Sequence, residues 1–115
     1  MAIVIITEKL EEDVNKKFKK ESIKIFDLMN SLKENPLKGK PLGNVGGILI
    51  KELRYESFRF YFITDGFKIK LLEQGELTDI LIRFVRMSDK DNQQKVIDEI
   101  KKVLRSFGEQ GFDLK

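Results

Sequence analysis

The chain contains no cysteine, no histidine and no tryptophan, only two prolines, and no apolar run near the length of a membrane span. Without cysteine there are no disulfides, no thiolate chemistry, and no Cys-ligated zinc or iron–sulfur cluster. Without histidine the usual neutral-pH general base and the commonest metal ligand are missing. Catalysis, if there is any, falls to Lys, Arg, Asp, Glu, Tyr or Ser. A transmembrane helix needs about 20 apolar residues, and the opening Met-Ala-Ile-Val-Ile-Ile-Thr is too short and lacks a basic flank for a signal sequence. The expectation is a cytoplasmic protein with no cofactor, no metal and no membrane contact.

What is present fits one globular domain: 115 residues, 41% hydrophobic, with nine phenylalanines. The formal net charge of +3 permits an anionic partner without requiring one, since 22 basic residues face 19 acidic ones.

The local patterns predict an α+β fold. Residues 2–6 form a β-branched run expected as a buried strand. Thr7 is placed to cap a helix carrying Leu10, Val14 and Phe18 at spacing four. After a polar break at residues 19–22, Ile25, Phe26, Met29 and Leu32 mark a second helix, which Asn35-Pro36 ends. Residues 36–47, with both prolines and four glycines, read as a loop. Residues 48–55 and 58–64 read as paired strands. Asp65-Gly66 reads as a hairpin turn, and residues 67–72 and 79–86 as two more strands. Ser88 and Asp91 resemble a capping box before a last helix with Val96, Ile97, Ile100, Val103, Leu104 and Phe107 on one face. The domain is expected over residues 1–108, with a loose tail at 109–115. The order is thus an N-terminal strand, two helices, an antiparallel β-meander with an extra hairpin, and a C-terminal helix.

The most informative stretch is residues 51–62, Lys-Glu-Leu-Arg-Tyr-Glu-Ser-Phe-Arg-Phe-Tyr-Phe. Strand alternation puts Arg54 opposite Leu53, and Arg59 with Tyr61 opposite Phe58, Phe60 and Phe62. Two arginines on paired strands beside a tyrosine suit phosphate, because guanidinium offers a planar fork of donors and stays charged. The plainer alternative for Arg59 is a structural ion pair with Glu52. For Arg54 it is a solvated strand end, and for Tyr61 it is core packing. Glu52 either bridges to an arginine or acts as a base toward a ribose hydroxyl. Arg86 precedes a helix N-terminus that favours anions. Lys51, a further candidate for substrate contact, faces the other side of its strand. The run Lys16-Lys17-Phe18-Lys19-Lys20 reads as a solvated helix face or as an electrostatic contact to RNA through Lys16, Lys17 and Lys20.

The element order, with Glu52-Leu53-Arg54, Phe58-Arg59-Phe60-Tyr61 and Gly39-Lys40-Pro41-Leu42 before them, resembles the RelE/ParE toxin superfamily. It is most similar to the HigB-like, phage-derived branch, over roughly residues 23–106. The resemblance implies a toxin held inactive by a cognate antitoxin, and in many members a metal-independent mRNA endoribonuclease acting on the ribosome. There the ribose 2′-OH attacks the adjacent phosphate. Carried over, Arg54 and Arg59 match the sheet arginines, and Arg86 or Lys90 matches the basic residue near the final helix. Glu52 and Ile50 stand where RelE has lysines, and Val96 stands near a helix tyrosine. The rivals are a ParE-like inhibitor of DNA gyrase and a catalytically inactive toxin fold that only binds its partner.

Overall fold

The computed structural model describes residues 1–113. It is α+β: a five-stranded mixed sheet with helices on both faces. The elements run β1 (Ala2–Ile6), α1 (Glu8–Phe18), α2 (Ser22–Asn30), β2 (Lys40–Val45), β3 (Ile48–Tyr55), β4 (Phe58–Asp65), α3 (Gly66–Glu73), β5 (Ile80–Asp89) and α4 (Gln93–Phe107), with short 3-10 turns between some of them. The strand order is β1-β5-β4-β3-β2. β1 joins β5 in parallel, and every other pairing is antiparallel. Among the described residues no helix is long and apolar enough to cross a membrane.

The two helices predicted before residue 36 form as expected. The Thr7 hydroxyl accepts from the Leu10 amide at 3.4 Å, capping α1. A 3-10 turn at Lys19–Glu21 breaks the helical run, with Lys19 at φ 51°. The Ser22 hydroxyl donates to the Val14 carbonyl at 3.1 Å, tying α2 back to α1. Leu10, Val14, Ile25, Met29 and Leu32 pack on Leu53, Phe60, Phe62 and Phe84 to make one core. On the opposite face of the sheet, Ile97, Ile100 and Leu104 of α4 pack on Ile50, Tyr61, Ile63 and Val85 to make a second. β4 is therefore covered on both sides, and Phe60, Tyr61 and Phe62 are all fully buried.

Several local expectations are corrected. Residues 36–47 are not all loop, because Lys40–Val45 pairs with β3 as an edge strand. Pro41 is tolerated there because an edge strand need not donate on its outer side, and the register shifts between Pro41 and Gly43. Asp65-Gly66 is not a hairpin turn, and there is no extra hairpin. A primed turn needs positive φ at its first central residue, but Asp65 lies at φ −74° and instead caps α3. Its carboxylate accepts from the Phe67 and Lys68 amides at 2.9 and 3.1 Å. Gly66 serves close approach: its amide donates to the Gly47 carbonyl at 2.9 Å, and an added Cβ would stand 2.9 Å from that same oxygen. Residues 67–72 thus lie in a helix, despite the alternation of Phe67, Lys68, Ile69 and Lys70.

β5 extends to Asp89, beyond the expected end at 86. The cap that follows belongs to Asp89, whose carboxylate accepts from the Asp91 and Asn92 amides at 3.0 Å each; Ser88 is still in the strand. Phe107, assigned to the core stripe, is 63% exposed. The tail is packed as far as it is described, since Gly108–Asp113 forms a 3-10 turn that buries Phe112 in the α4-side core. Residues 114 and 115, the remainder of the expected loose tail, lie outside the described residues.

Asp65→Ala removes both capping bonds of α3. It is expected to lower unfolding free energy by about 1 kcal/mol in urea denaturation, with Asp65→Asn recovering most of the loss. Equal loss in both variants would remove the capping role.

Candidate functional site

The alternation of β3 and β4 directs Ile50, Glu52 and Arg54, and opposite them Arg59, Tyr61 and Ile63, to the α4 side of the sheet. Arg54 pairs with Arg59 and Glu52 with Tyr61 in the register. Two like charges directly opposite would repel, and the Glu52 carboxylate resolves this by lying between them. Its Oε2 is 3.2 Å from Arg54 Nε and 3.3 Å from Arg59 Nε.

The two contacts differ in kind. The Arg54 Nε–H donates a proper hydrogen bond to Glu52. The Arg59 Nε is close enough for an ion pair but lacks hydrogen-bond alignment, so it is a buried donor without a bonded acceptor among the described residues. Arg59 Nη1 donates to its neighbouring Phe58 carbonyl at 3.3 Å. Side-chain exposure separates the three groups: 1% for Glu52, 10% for Arg59 and 56% for Arg54. Glu52 and Arg59 form an enclosed pair whose desolvation the ion pairing offsets, while Arg54 presents its guanidinium to solvent. The triad carries one net positive charge.

Next along β4, the Tyr61 hydroxyl lies 2.8 Å from Ser88 Oγ in a buried hydrogen bond. Burial raises the Tyr61 pKa above 10.0, with Glu52 adding to the rise and the Ser88 hydrogen bond and Arg59 opposing it. Tyr61 is fully enclosed, which is the core-packing alternative, and its ring is not available to stack on a base.

Arg86 sits opposite Tyr61 on β5. The register shift between Tyr61 and Phe62 brings Val85 and Arg86 to the same side of the sheet. The Arg86 guanidinium turns toward α4 and the terminal turn: Nε donates to Glu99 Oε1 at 2.8 Å, and Cζ lies 5.1 Å from the Phe112 ring centre. It shares the face with Arg54 and Arg59 but has its own carboxylate.

The other predicted residues divide. Lys17 is drawn in: its Nζ lies 5.1 Å from the Phe58 ring centre, and it lines an open cleft of about 430 Å³ with Ser88, Asp89, Asn92, Lys95 and Glu99. Lys16 is exposed on α1, Lys20 on the 3-10 turn that follows it, and Lys90 on the turn before α4. Lys51 is excluded. It is buried on the other face, donating to the Leu37 carbonyl at 3.0 Å beside the Phe62 ring, and burial lowers its pKa despite the opposing charge of Glu73. Asp89, which lines the cleft, is held below the ordinary carboxylate range first by the Asn92 side-chain hydrogen bond and then by the Asn92 and Asp91 amides.

Ser88, Asp89, Lys95 and Glu99 were not singled out as site residues from the sequence. Strand pairing of residues 58–61 with 86–89 was the missing signal, because it alone places Ser88 opposite Arg59. Among the described residues no group of three or more acidic side chains is arranged to hold a metal ion. Neither a protein family, nor a curated protein, nor a solved structure gives a match to this chain.

Two outcomes follow from this geometry. Arg59→Ala leaves the enclosed Glu52 with only the half-solvated Arg54, and is expected to cost about 2–4 kcal/mol of stability. Adding Glu52→Gln to it should recover at least about 1 kcal/mol. A double variant no better than the single would show that Arg59 stabilises by packing alone. The second outcome concerns alkaline pH. A tyrosine whose folded pKa is raised contributes stability that is present below the unfolded value and lost as pH rises through the folded one. Above pH 10.0, the wild type should lose stability more steeply than Tyr61→Phe. Lys51, shifted down, works in the opposite direction in both proteins and cancels in the difference. Parallel curves would refute the assignment to Tyr61.

Proposed function

We propose that the chain is a toxin of the RelE/HigB type, a metal-independent endoribonuclease that cleaves mRNA on the ribosome and is silenced by a cognate antitoxin. The observation that carries this reading is the opposed pair Arg54 and Arg59 sharing one carboxylate. It leaves a net positive charge and one open guanidinium fork at a sheet face, the arrangement that phosphodiester chemistry uses.

The reaction class this suits is internal transfer at phosphorus. The ribose 2′-oxygen bonds to the adjacent phosphorus and loses its proton, and the 5′-oxygen of the next nucleotide leaves and gains one. Arg54 supplies charge to the crowded phosphate directly. Arg59 is a positioning residue, acting through Glu52 to fix Arg54 in place. Glu52, enclosed between two guanidiniums, suits this holding role and not proton abstraction. Lys17 and Lys95, at the rim of the adjoining cleft, supply longer-range attraction to RNA.

A second reading has its own support: each of the four arginines on this face of the sheet is engaged by a carboxylate, Arg54 and Arg59 by Glu52, Arg86 by Glu99 and Arg83 by Asp113. That favours a toxin fold that binds without cleaving, either on DNA gyrase or on its partner alone.

The deciding experiment expresses wild type and Arg54→Ala from a tightly repressed promoter and maps mRNA 5′ ends after induction. Arg54→Ala takes from the enclosed Glu52 its aligned hydrogen bond, so a lowered thermal melt is expected and a wild-type circular dichroism spectrum at the induction temperature verifies that the variant is folded. New codon-phased 5′ ends in wild type, reduced about 10²-fold or more in the variant, support the nuclease. Growth arrest without new ends moves the assignment to the gyrase-directed reading. Normal growth with confirmed expression moves it to the inactive binding form.

A further inference from the structure

The two edges of the sheet are built differently. β2 has the features by which natural edge strands resist pairing: exposed Lys40 and Pro41, and a register irregularity at Pro41/Gly43. β1, the other edge, has none. Its sequence Ala-Ile-Val-Ile-Ile carries no charge, no proline and no bulge. Among the described residues its backbone hydrogen bonds go to β5, and none reaches its outer edge.

The surface beside that edge is apolar as well. Ile3 is 59% exposed, Ile5 41% and Leu81 40%, and Ile3 and Leu81 are register partners on adjacent strands. They lie on the side of the sheet that α4 covers only farther along, over Ile50, Tyr61, Ile63 and Val85. Val4 and Ile6, on the other face, pack against the α1/α2-side core near the Ser31–Lys33 turn, so what stays open is the outer backbone edge and the Ile3, Ile5 and Leu81 face.

We infer that β1 pairs antiparallel with β1 of a second copy of this chain, joining two five-stranded sheets about a two-fold axis through Val4. The strand is self-complementary in that register. With Val4 facing its own counterpart, Ile3 faces Ile5 of the other copy, and Ala2 faces Ile6. All four exposed isoleucines of the pair then meet on one face, flanked by Leu81 from each copy. No charged side chain lies along Ala2–Ile6 to oppose its like, and an isologous pairing closes at two copies without building a filament. The surface removed is on the order of 400 Å² per copy, about half of a standard interface. The dimer should therefore be weak, with a dissociation constant on the order of 10 to 100 µM.

Sedimentation velocity from roughly 5 to 500 µM tests this. The wild type should move from monomer toward dimer. Ile3→Lys/Ile5→Lys places lysines against each other and should raise the dissociation constant at least about tenfold. Ile3→Lys/Ile5→Glu should restore association, because in this register each introduced lysine faces the introduced glutamate of the other copy. Both positions are exposed, so an unchanged circular dichroism spectrum is expected and verifies the fold. A wild type that stays monomeric over the whole range overturns the inference, as does a double-lysine variant that dimerises like wild type. Amide protection at residues 3–6 that arises only on adding a different protein assigns the edge to that protein's strand and overturns it too.

Discussion

Everything near the sheet arginines follows from one constraint: β4 is buried on both faces. A strand in that position normally alternates one apolar set with another, and Phe60 and Phe62 on one side with Tyr61 and Ile63 on the other do so. Arg59 breaks the pattern. Its charge must be matched inside the fold, and the neighbouring strand has Glu52 within 3.3 Å to do it. Arg54, directly opposite Arg59, is then drawn to the same carboxylate from the solvent side. A single buried acid thus fixes the spacing of two cations, and it also limits how much of their field reaches a ligand.

The fold was legible in the sequence wherever hydrophobic period and capping agreed. Both early helices, the paired strands β3 and β4, and α4 each had a clear period, and Thr7 marked its helix end correctly. β1 was legible as a strand from its apolar run, but the burial expected of it fails, because it is an edge that leaves Ile3 and Ile5 exposed. It was not legible where a local signal serves two structures. Asp-Gly suits a primed hairpin turn or a helix start, and the choice here was made by Gly47, whose carbonyl leaves room for no side chain at position 66. β2 was hidden because Pro and Gly, ordinarily loop residues, are acceptable on an edge that has only one neighbour. Phe112 was invisible as core because a lone aromatic in a short polar tail has no period at all.

The site was legible in part for the same reason. Alternation alone put Arg54, Arg59 and Tyr61 on one face. It could not show that Arg59 is nearly enclosed while Arg54 is half-exposed, since that depends on what α4 and the chain ends cover. Nor could it reach Ser88, whose place opposite Arg59 depends on the length of β5 and on the register shift beside Tyr61. The same shift brings Val85 and Arg86 together, so that one buries in the core while the other swings to Glu99. Charges on this face are paired locally before they are offered to a ligand, which leaves Arg54 as the side chain best placed to meet one.

The sheet's edges obey a different logic from its centre. Inside, each charge has a partner because water cannot reach it. At β2, water reaches the strand and the sequence spends Lys, Pro and an irregularity to keep other strands away. At β1 the sequence has the composition of an interior strand, although one side of it faces solvent. Val4 and Ile6 pack on the core, but the exposed Ile3 and Ile5 do nothing for the monomer that shorter or charged residues would not do at lower risk of aggregation. Their presence is intelligible if the edge is covered, and a strand symmetric about Val4 is most simply covered by its own copy.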